Sequence, residues 1–69
     1  MPISITVNGE PRAVEPGTSV SALLFALAIK EARVAVEVNL DVIRREDREK
    51  RILVEGDAVE IVSFVGGGN

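Results

Sequence analysis

Apolar and polar residues alternate in "ISITV", with Ile3, Ile5 and Val7 on one face and Ser4 and Thr6 on the other. That period predicts a half-buried strand. Asn8-Gly9 follows, a strong short-range hairpin signal, and "PRAVE" reads as a short return strand. Pro11 has no N–H to give to a ladder, which places that strand at a sheet edge. Pro16-Gly17 fits the two central positions of a type II turn. Ser19 then stands where an N-cap belongs, with Thr18 as the rival. Val20, Leu23, Leu24 and Leu27 fall on one helical face, and the pattern predicts a helix from about Val20 to Ile29. Lys30 near its C-terminus would complement the helix dipole.

The strand period returns in "RVAVEVN", with Val34, Val36 and Val38 on one face. "NLD" reads as a turn and "VI" as a short fourth strand. "RREDREKR" is a continuous charged run in which Arg45–Glu49, Glu46–Lys50 and Asp47–Arg51 have opposite signs at i, i+4. Such a pair adds only ~0.2–0.5 kcal/mol, so the run reads as an exposed short helix or helical turn. The alternative, a basic docking patch, is weakened by its small net charge. Glu55 and Asp57 bracket Gly56 in a turn. "AVEIVSFV" is the last strand, with Val59 and Ile61 on one face and Glu60, Val62 and Phe64 on the other.

One helix cannot cover both faces of a sheet. The order strand, strand, helix, strand, short strand, strand therefore predicts an α+β fold, one mixed sheet of four to five strands packed on one helix. The chain of 69 residues makes a single domain, taken here as 1–65, with 66–69 as a glycine tail. At 46% apolar and 28% charged it is globular in composition.

Charge and residue inventory narrow the function. A net charge of −3 argues against a nucleic-acid partner and gives no reason to expect a membrane surface, and no apolar run is long enough to span a bilayer. The expected location is the cytoplasm. Cys and His are absent, which removes disulfides, thiolate chemistry, the commonest metal ligand and the commonest general base. Asp41, Glu46 and Asp47 match no calcium-loop spacing and read as solvated turn residues, so no metal site is expected. The inventory points to a protein that is acted upon rather than a catalyst.

The chain finishes "SFVGGGN". Ordering a residue costs ~1–2 kcal/mol, and glycine has no side chain with which to recover it. Gly66, Gly67 and Gly68 are therefore expected to be disordered in the free protein. They read either as a frayed terminus or as a thin arm that carries the terminal carboxylate into another protein's active site. On the second reading Val62 and Phe64 provide the anchor, on the uncovered face of the sheet. Against it stands the alternative that the chain near "RREDREKR" partly covers both. Glu60, beside Val62, is a candidate to pair with a basic partner surface.

With "VNGE" after the first strand, "PGTSVSALL" opening the helix, "VAVEVN" as the third strand and "EGDAVEIVSFVGGG" at the end, the chain resembles the ThiS-type sulfur carriers of thiamine biosynthesis. These belong with the ubiquitin-like ThiS/MoaD proteins. The resemblance covers nearly the whole length, and its specific part is the last block. It implies a β-grasp fold with the last strand beside the first in the sheet centre. It also implies that an E1-like adenylating enzyme (ThiF-like) uses MgATP to adenylate the C-terminal glycine, and that the carrier binds no cofactor itself. Sulfur supplied ultimately by a cysteine desulfurase then displaces AMP, and thiazole synthase (ThiG-like) takes it from the thiocarboxylate. By position Gly68 would bear that group, with Gly67 the other half of the diglycine.

Two departures from the pattern stand out. Relatives often carry a proline where this chain has Arg44 and an aromatic where it has Arg48, a change expected to alter the loop surface and partner choice. Asn69 follows the working glycine. Either a peptidase removes it, or it is a remnant of cloning or gene assignment, or this copy does something else. The rival functions are the small subunit of molybdopterin synthase, a ubiquitin-like modifier of target lysines, and a β-grasp interaction module without terminal chemistry. The segments "VNGE" and "AVEVN" favour the thiamine branch.

Overall fold

A computed structural model describes residues 1–64. The five strands are β1 (Ile3–Val7), β2 (Glu10–Val14), β3 (Val34–Val38), β4 (Asp41–Ile43) and β5 (Ala58–Ser63), and the helix is α1 (Val20–Ala26). They form one five-stranded sheet in the order β2-β1-β5-β3-β4. β1 and β5 run parallel, with Thr6 opposite Ala58, and every other neighbouring pair is antiparallel. The last strand thus lies in the centre beside the first, and β2, with Pro11, is an edge, both as expected. Among the described residues no helix is long and apolar enough to cross a membrane.

The two sequence periods build the core. Alternation delivers Ile5, Val34, Val36, Val38 and Val59 to one sheet face, and the helical stripe delivers Val20, Leu23 and Leu24 against it; all are buried. Leu53, from the long connection before β5, closes this layer. That connection is pinned over the start of α1, where the Leu53 N–H donates to the Thr18 carbonyl (2.9 Å) and the Val20 N–H to the Arg51 carbonyl (3.0 Å). Ser19 is the N-cap, and its hydroxyl accepts from the Ala22 N–H at 3.0 Å. The hairpin turn at Asn8-Gly9 has positive φ at both residues (50° and 86°), as a type I′ turn requires. Gly17 has φ 90° and the Thr18 N–H donates to the Glu15 carbonyl at 3.2 Å, in keeping with a type II turn.

Four expectations are corrected. The helix stops at Ala26, three residues short of Ile29. The Ala28 N–H donates to the Phe25 carbonyl (3.0 Å) and the Ile29 N–H to the Leu24 carbonyl (2.9 Å), while Ala28 takes φ 59°. That is a Schellman termination with alanine in the left-handed position usually given to glycine. Lys30 consequently lies past the last turn of α1, at the start of a 3-10 turn over Glu31–Arg33.

The charged run forms a 3-10 turn at Arg45–Asp47, and none of the three expected i, i+4 pairs forms. Within it Arg48 is buried, at 3% exposure, rather than on the loop surface. Its guanidinium donates to the carbonyls of Glu31 and Val34, both at 2.8 Å. A long cation with two backbone acceptors within reach can be held inside, because its charge is partly met by carbonyl dipoles.

Candidate functional site

Of the residues singled out from the sequence, Glu60 and Val62 lie on β5 and Phe64 just past its end. Glu60 and Val62 are exposed on the face away from α1, where Val62 stands opposite Ala35 and Glu60 opposite Glu37. Phe64, one step past the strand, is also exposed. Val62 and Phe64 keep 58% and 66% of their surface open. The segment 44–51 does not cover them. It packs on the helix side, where the Ser21 N–H donates to the Arg48 carbonyl at 3.1 Å. Gly66, Gly67 and Gly68, the expected carrier end, and Val65 and Asn69 lie outside the described residues.

The strand that carries this site is clamped from both sides by Asn8 and Asn39, which the sequence pattern predicts only as turn residues. Asn8, in the β1–β2 turn, accepts from the Ile61 N–H through Oδ1 (2.7 Å) and donates to the Ile61 carbonyl through Nδ2 (3.3 Å). Asn39, in the β3–β4 turn, accepts from the Ala58 N–H through Oδ1 (2.9 Å) and donates to Asp57 through Nδ2 (2.9 Å). Both residues have positive φ, a conformation asparagine tolerates better than most side chains. The signal was present as two copies of Val-Asn, each ending an alternating stretch. At the exit, the Phe64 N–H donates to the Arg33 carbonyl at 2.8 Å.

Asp57 fixes the start of the strand. Its carboxylate accepts from the Val54 N–H at 2.9 Å and from Asn39, and it meets the Arg51 guanidinium at 3.4 Å. Burial works against its charge, but the hydrogen bonds from Val54 and Asn39 and the nearby Arg51 outweigh it, and the carboxyl is held below its ordinary value. The site therefore has a rigid central strand and an apolar, acidic face, and Glu37 and Glu60 oppose one another on that face. Like charges directly across a ladder are destabilising unless a cation is brought to them. This arrangement can present a terminus to another protein.

Residues 5–68 match the family model described as the ThiS family. The crystal structure of a thiamine biosynthesis protein (ThiS) from Geobacter metallireducens superposes with a TM-score of 0.80 at 40% identity, over 96% of this chain and 100% of that one. The chain is also similar to two proteins named thiazole synthase. The one from Magnetococcus marinus is 41% identical over 66 residues, and the one from Paramagnetospirillum magneticum is 36% identical over 67. The match takes in 96% and 97% of this chain but only 20% and 21% of those proteins, so the chain spans about a fifth of their length.

Proposed function

The chain belongs to the ThiS family, and on that premise we propose that it carries sulfur on its C-terminal glycine for thiazole formation in thiamine biosynthesis. The observation that carries this reading is the family match over residues 5–68, which takes in Gly68. In this scheme hydrolysis of the bond to Asn69 frees the Gly68 carboxylate. A cytoplasmic adenylating enzyme with its own MgATP joins that carboxylate to AMP and releases pyrophosphate. A persulfide, drawn ultimately from a cysteine desulfurase, displaces AMP through its outer sulfur, and a second thiol then cleaves the resulting acyl disulfide, which leaves the thiocarboxylate on the carrier and a disulfide between the two thiols. The carrier contributes no catalytic group; Glu60, Val62 and Phe64 dock it, and Gly66, Gly67 and Gly68 reach the partner's site.

Two relatives named thiazole synthase contain a segment like this chain, which supports thiazole synthase as the acceptor and favours the thiamine branch over molybdopterin synthesis. The test is the intact mass of the protein isolated from its own host. The expected result is loss of Asn69, with part of the population heavier by one oxygen-to-sulfur exchange under thiamine starvation. Retention of Asn69 in every molecule, with no sulfur gained, would sink the proposal.

A further inference from the structure

The helix side of the sheet is incompletely filled where β5 leaves it. α1 ends at Ala26, and beyond it Val7 and Ile61 are only half-buried, whereas Ile5 and Val59 on the same strands are fully buried. The space left is a groove of about 440 Å³ walled by Val7, Ile29, Val34 and Ile61, with Lys30 and Arg33 lining it from exposed positions. Its walls are preformed. Asn8 clamps the Ile61 backbone, and buried Arg48 holds the connector through the carbonyls of Glu31 and Val34. A groove that need not be ordered on binding loses less affinity to entropy.

The groove is also basic. In a chain of net charge −3, Lys30 and Arg33 both line it and, like Arg12, Arg45 and Lys50, make no ion pair with a described carboxylate. Glu31, between Lys30 and Arg33 in sequence, lines a different depression with Arg45 and Glu46. We infer that this groove docks an acidic, apolar segment of a protein that handles the C-terminal arm. An apolar side chain of that segment enters between Ile29, Val34 and Ile61, and an adjacent Asp or Glu meets Lys30 and Arg33. The opposite face of the same strand is apolar and acidic at Glu60 and Val62, so the two sides of the arm's root have opposite charge. Partners with opposite charge at the contact are thereby sorted to different sides.

The inference rests on the sulfur-carrier reading, and one experiment separates the two. The protein ending at Gly68 is titrated against its host's adenylating enzyme and thiazole synthase, as wild type and as Lys30→Glu/Arg33→Glu, at low and high salt. Both substituted side chains are exposed, so the variant should melt with the wild type. The expected result is a loss of affinity of about tenfold or more for at least one of the two enzymes, with a weaker salt dependence in the variant. Equal affinities for both enzymes, with wild-type adenylation intact, overturn the docking inference alone. Failure of the adenylating enzyme to convert even the wild type with ATP overturns the carrier reading and the docking inference with it. If octanoate perturbs the groove amides while both enzymes ignore the charge reversal, the groove takes a small amphipathic anion and the protein-docking inference falls.

Discussion

Ala28, Asn8, Asn39 and Leu40 all have positive φ, but they carry that conformation at different cost. The asparagines recover it through the hydrogen bonds their side chains make to β5. Ala28 has no such return. It is placed at φ 59° so that the Schellman bonds can form and Ile29 can turn back onto the core. An alanine there is strained by roughly 1–2 kcal/mol, whereas glycine is not, although glycine gives the unfolded chain more freedom. Ala28→Gly is therefore expected to stabilise the protein by about 0.5–1 kcal/mol, read as a higher melting temperature in a calorimetric scan; a lower one would show that the turn is not strained. Arg48 makes the opposite trade. It brings a cation into the interior, satisfies two carbonyls, and leaves its Nε without a partner among the described residues.

Among the elements, β5 depends most on groups outside its own ladder. Asp57 gathers the Val54 N–H, Asn39 and Arg51 at its first turn, and its carboxyl is held below the ordinary range. A carboxyl with a depressed folded pKa contributes stability that is fully present above its unfolded value of about 3.9. That contribution is lost as pH falls through the lower folded value. Asp57→Asn should lower stability at neutral pH by about 1–3 kcal/mol and flatten this part of the acid limb. Denaturant titrations of both proteins at neutral pH and near pH 3 check it; parallel curves would rule out the assignment.

The elements themselves were legible where one period dominates. Val34, Val36 and Val38 could be placed because each faces the same core, and Val20, Leu23 and Leu24 because a stripe at that spacing has one use. The end of α1 was not legible, since Ala28 carries no sign of a left-handed turn. Nor was the burial of Arg48, because a run of charges looks uniform until the carbonyls of Glu31 and Val34, distant in sequence, come within reach. Asn8 and Asn39 are legible as turn formers, but their second role depends on β5 lying between the two hairpins. The candidate site was half visible: alternation put Glu60 and Val62 on one face, whereas the Lys30–Arg33 groove exists only because the helix stops early.

For the whole molecule, the decisive asymmetry is a single helix against a five-stranded sheet. The helix side holds the buried core, and the other side leaves Val42 and Val62 exposed around Glu37 and Glu60, with Phe64 exposed at the exit. Side chains that remain largely in water contribute little to folding, so Val62→Ala/Phe64→Ala should change stability by no more than about 0.5 kcal/mol. Under the proposed carrier function, the same truncation removes apolar area from the face that would dock an adenylating enzyme. If that face docks the enzyme, the KM for the carrier rises by about tenfold or more. The turnover number at saturation stays the same, because the lost contacts hold ground state and transition state alike. A fall in turnover at unchanged KM would place these residues at the chemical step instead. A pair of kinetic constants identical to the wild type would remove the open face from recognition and leave the opposite side of β5 as the surface through which the carrier is read.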